Sequence, residues 1–113
     1  MTFYLISFPS FAMNIPEEDF PAVSDASHAV IREAKDAGVY RFGGGIDEEV
    51  APVLVSGDGS VTAGGYPGAR ELTGGFTVLD LPSREAALEW AAKIAVACRC
   101  PQEVRQFGDD PDI

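Results

Sequence analysis

The chain has 113 residues and a mass of 12.0 kDa, with 18 acidic against 8 basic residues and a formal charge of -10. That excess of acid argues against nucleic acids and anionic membranes as partners, because both are held by clustered Lys and Arg. The length fits one domain with a modest core, spanning 1–108 before an acidic tail at 109–113, and a hydrophobic share of 46% is too high for a disordered chain.

Residues 2–8 (TFYLISF) are aromatic and β-branched and stop at Pro9, which predicts a first strand. Phe3 and Leu5 point one way while Tyr4, Ile6 and Phe8 point the other, so this strand requires cover on both faces of its sheet. The connector holds Pro16-Glu17-Glu18-Asp19, a candidate helical turn with proline first and acids at the positive end. A helix is predicted from about Pro21 to Ala37. Val23, Ala26, Val30, Ala34 and Ala37 form its apolar stripe, Ser24 and Ser27 are candidate caps, and Gly38 ends it. Val39, Tyr40 and Phe42 begin a second strand that runs into Gly43-Gly44-Gly45.

Residues 52–56 read as a short strand, and Gly57-Asp58-Gly59-Ser60 as a hairpin turn into Val61 and Thr62. The stretch 63–73 is rich in glycine and proline and reads as a loop. Residues 75–81 (GFTVLDL) are the clearest later strand, again apolar on both faces. Ser83 caps a helix predicted to reach Cys98, and residues 102–107 form a last, more polar strand. This order suggests an α+β fold of the ferredoxin-like kind, an antiparallel sheet with two helices on one face. The opposite face then carries apolar groups that a second copy of the chain would cover, which predicts a homodimer.

At 61–76 the sequence V-T-A-G-G-Y-P-G-A-R-E-L-T-G-G-F resembles the signature of the YCII-related family, also called the DGPF family. Val61, Thr62, Gly64, Tyr66, Arg70, Glu71 and Gly74-Gly75-Phe76 fit that pattern, while Ala63 and Gly65 stand where it has Asp and Pro. Pro16-Glu17-Glu18, the helix end at Asp36-Ala37-Gly38-Val39, Glu85 to Ala91 and Glu103-Val104-Arg105 extend the likeness over most of the chain. The resemblance implies a dimeric α+β barrel. It fixes no reaction: some relatives are proposed to use a His/Asp pair in an enzyme-like cleft, and DGPF members are associated with sigma factors of the extracytoplasmic-function type.

His28 is the only histidine, so it is the only candidate for histidine acid–base chemistry, with Asp47 as partner by the resemblance. On the predicted stripe, however, His28 lies roughly 150° from the apolar centre and should face solvent. The loop from Tyr66 to Glu71 sets an aromatic, a base and an acid among glycines, and Arg41 lies in a strand between Tyr40 and Phe42, where it needs an acid such as Asp80. Arg41, Tyr66, Arg70 and Glu71 are therefore the candidate ligand-binding residues for a small organic molecule, including an anion. The expected function is binding of that molecule in the interior or at the rim of the barrel, with weak enzymatic activity left open; a non-enzymatic regulatory or protein-interaction module is the alternative.

Cys98 and Cys100 are too close in sequence for an unstrained disulfide and lack the C-x-x-C spacing, so they read as reduced thiols. No metal or other cofactor is expected, since one His and two Cys fall short of a closed site and no phosphate-loop motif occurs. Pro9 and Pro16 interrupt the apolar opening, no basic residue precedes it, and the chain reads as cytoplasmic.

Overall fold

In the computed structural model, which describes residues 1–113, the strand predicted at 2–8 is β1 (Thr2–Phe8). A short 3-10 turn at Glu17–Asp19 leads into α1 (Phe20–Asp36). There follow β2 (Tyr40–Gly45), β3 (Val53–Val55), β4 (Val61–Ala63), β5 (Gly75–Leu81), α2 (Arg84–Cys98) and β6 (Glu103–Gln106). Four strands form an antiparallel sheet in the order β2-β5-β1-β6, and β3 pairs only with β4 in a separate hairpin. With the hairpin set aside, this is the ferredoxin-like arrangement.

Both helices cover one face. Tyr4 and Ile6 of β1 and Leu79 and Leu81 of β5 pack against Ala34 of α1 and Ala87, Ala91, Ile94 and Cys98 of α2. Small residues dominate the helix side of this core, which lets the helices approach the sheet closely. The second helix starts as its sequence dictates: Ser83 is extended and its Oγ accepts from the Ala86 N–H at 3.2 Å. Ser83→Ala is expected to lower stability by about 1 kcal/mol in urea denaturation, and an unchanged midpoint would refute the cap.

Two features of α1 differ from the expected ones. The helix begins at Phe20, ahead of Pro21, so Ser24 and Ser27 lie inside it and cap nothing; Ser27 Oγ donates to the Ser24 carbonyl at 3.0 Å. Its inward face is Val23, Ser27, Val30, Ile31 and Ala34, while Ala26 and Ala37 are exposed. Alanine is small enough to sit on either side of a helix edge, so an alanine-weighted stripe placed the centre of the face too far from Ile31.

The other face of the sheet has no helix over it. It carries Phe3 and Leu5 of β1, Phe76 and Val78 of β5 and Phe42 of β2, in register across the strands. Phe42 is 61% and Phe3 45% exposed. No helix is long and apolar enough to cross a membrane.

Candidate functional site

The candidate site lies on this uncovered face, at the end of the sheet where β1 and β5 meet the loop of residues 64–74. Strand alternation puts Glu103 and Arg105 on the same side of β6, opposite Ser7 and Leu5. The loop brings Arg70 to them from 33 residues earlier. Arg70 Nη2 lies 3.5 Å from Glu103 Oε1, and Arg105 Nη2 lies 3.2 Å from Glu103 Oε2. The two guanidiniums therefore approach one carboxylate, each spending a single nitrogen on it and keeping further N–H donors free. Around them opens a cleft of about 320 Å³, walled by Glu71 and floored by Leu5 and Phe76.

The loop is set by local backbone rules. Pro67 and Gly68 stand at the corner of a turn closed by the Ala69 N–H to the Tyr66 carbonyl at 3.2 Å. Thr73 then accepts from the Ser10 N–H at 3.1 Å, and the Gly74 carbonyl accepts from the Ile46 N–H at 2.9 Å. The cleft-bearing segment is thereby fastened to the chain just past β1 and just past β2.

Of the candidates named from the sequence, the fold brings Arg70 and Glu71 into one cleft, together with Arg105. Arg41 is elsewhere. It is the extra residue at a bulge between Tyr40 and Phe42, and its guanidinium reaches Asp80 Oδ2 at 3.0 Å and the Gly38 and Tyr40 carbonyls at 3.3 and 3.1 Å. Asp80 is thus the acid that Arg41 needed, and its other oxygen is buried without a partner. Tyr66, the first residue of that turn, is 78% exposed and lines neither this cleft nor the larger cavity on the helix side. Asp47 accepts from the Glu49 N–H in a local turn. His28 is exposed, as its helical position predicts, yet it borders that helix-side cavity because the true inward face of α1 is turned toward it. No hydrogen bond or ion pair joins His28 to Asp47.

Glu103 was not named as a site residue from the sequence. Its signal was the two-residue spacing from Arg105, which places an acid and a base on one face of a strand; the contact with Arg70 has no such local signature. Cys98 and Cys100 are buried free thiols, and burial pushes both above the usual thiol range. No group of three or more His, Cys, Asp or Glu side chains is arranged to hold a metal ion.

The family model of the YCII-related domain matches residues 11–104. No curated protein matches the chain.

Proposed function

The chain belongs to the YCII-related family, and from that premise we propose that it acts as a homodimer whose uncovered sheet faces pack together. In this reading the cleft of Arg70, Glu71, Glu103 and Arg105 lies at the rim of the shared interior and binds a small organic anion. The observation that carries the ligand reading is the approach of two guanidiniums to one carboxylate over an apolar floor. A carboxylate entering there exchanges water for the unused guanidinium donors, and its organic part rests on Leu5 and Phe76.

Size supports the dimer. A folded chain of 12 kDa exposes about 6,000 Å² by the usual scaling, whereas this one exposes 7783 Å². The excess is larger than the roughly 800 Å² that each partner loses in a standard interface. We place the protein in the cytoplasm, in keeping with its two free thiols.

Light scattering at micromolar protein is expected to give twice the 12.0 kDa mass of the chain, and a monomer mass sinks the dimer. For the ligand, a panel of small mono- and dicarboxylates is titrated with detection by amide chemical shifts. Shifts around Leu5, Phe76 and Arg105 are expected, and the double variant Arg70→Ala, Arg105→Ala is expected to weaken the best binder at least about tenfold. No response from the unaltered protein overturns the anion reading and favours an interaction module.

A further inference from the structure

A second cavity, of about 420 Å³, lies on the opposite side of the sheet, between α1 and the β2 edge. Protein interiors close on themselves to crystal-like density, and a space of this size falls within the range of small-molecule pockets. Its origin is visible in the sequence. Gly43 and Gly45, on the helix side of β2, bring no side chains to fill the room beneath α1, while Gly44 faces the other side of the sheet with Phe42. Over Gly43 the Tyr40 ring leans in, so that a Cβ there would stand 3.0 Å from its hydroxyl, and Tyr40 thereby becomes part of the wall. The buried core lies beside it, where Ala34 of α1 and Ala87 and Ala91 of α2 meet β1 and β5, and Ile94 and Cys98 of α2 belong both to that core and to the cavity wall.

The lining has a definite chemistry. Val30 and Ile31 of α1 and Ile94 of α2 supply apolar walls, while Ser27, Thr77 and Tyr40 contribute hydroxyls and His28 stands at the border. No Asp, Glu, Lys or Arg lines it, although 23% of the chain is charged. A charged ligand would lose its hydration here without gaining a fixed counter-charge, which is costly. A neutral molecule with an apolar body loses little and gains the walls.

We propose that the space between α1 and the β2 edge is a binding site for a neutral, mostly apolar small molecule carrying one hydrogen-bonding group, which the hydroxyls and His28 receive. The site lies on the other side of the sheet from the charged cleft, which it adjoins only at Phe8 and Phe76, and its ligand class is the opposite one.

The test uses N-phenyl-1-naphthylamine, a neutral apolar fluorophore, titrated into the full-length protein. Saturable binding of one molecule per chain is expected. Ser27→Phe and Ile31→Trp, which fill the space from α1, are expected to lower affinity at least tenfold with the far-ultraviolet circular dichroism unchanged. Arg70→Ala with Arg105→Ala is expected to leave it unchanged, so failure here and failure of the anion reading are distinguishable. Should the filled variants not fold, amide shifts of the unaltered protein with indole decide the matter: shifts at Ser27, His28, Ile31 and Gly43 support the site. Absence of saturable binding, retention of affinity in folded filled variants, or shifts confined to Leu5, Val78 and Arg105 overturns it.

Discussion

Gly74→Ala is expected to cost on the order of 3–5 kcal/mol, a large part of the stability of a domain this size. Gly74 has φ +84°, a left-handed conformation that alone costs alanine roughly 1–2 kcal/mol. The larger penalty is steric. A Cβ at this position would stand 1.9 Å from the Phe8 carbonyl oxygen and 2.8 Å from the Ser10 nitrogen. Both are backbone atoms, so no rotamer relieves the clash, and the crossing of the 73–75 segment over the end of β1 must open. Because Thr73 and Gly74 also fasten the cleft-bearing loop, the same change is expected to dismantle the Arg70–Glu103–Arg105 cluster. Gly57→Ala is the control, since its Cβ would meet nothing within 4 Å. Urea denaturation of the two variants checks this, and a loss below about 1 kcal/mol at Gly74 would refute the steric argument.

The second large effect concerns the uncovered sheet face. Val78 lies on an inner strand there, with Leu5 beside it on β1 and Phe42 on β2. In the proposed dimer, Val78→Asp puts a carboxylate from each copy into an apolar interface, where an ionised group without a partner is expensive. Two hot-spot losses of at least about 2 kcal/mol each correspond to roughly a thousandfold weaker association. The variant is therefore expected to run as a monomer at micromolar concentration while keeping its secondary structure. Val96→Asp, on the exposed side of α2, is expected to change nothing. A Val78→Asp variant that remained dimeric with its fold intact would move the interface elsewhere.

How much could be read in advance depended on how local each determinant is. β1, β5 and α2 were legible because alternation, proline stops and a serine cap act within a few residues. The face of α1 was not fully legible, since alanines carry little directional information and Ile31 and Ser27 took the inward positions. The separation of the β3–β4 hairpin from the main sheet also went unseen, because short β-branched strands say nothing about which neighbour they choose. For the site, the Arg41–Asp80 pair was foreseeable from two charges in apolar strands. The Arg70–Glu103 contact joins a loop to a strand through tertiary structure alone.

The position of β1 also bears on how the chain reaches this fold. It is an inner strand, yet its two partners come from far along the sequence, so pairing Ile6 with Thr77 and with Val104 closes loops of roughly 70 and 100 residues. The entropy of those closures is lost before any ladder or core contact compensates it. Helices α1 and α2 can flicker into place in microseconds, but the sheet they cover waits on these two long-range encounters, which puts folding toward the slower end of the range for small domains. The rate-limiting barrier should accordingly respond to changes at Ile6 and Leu79 more than to changes at the Ser83 cap.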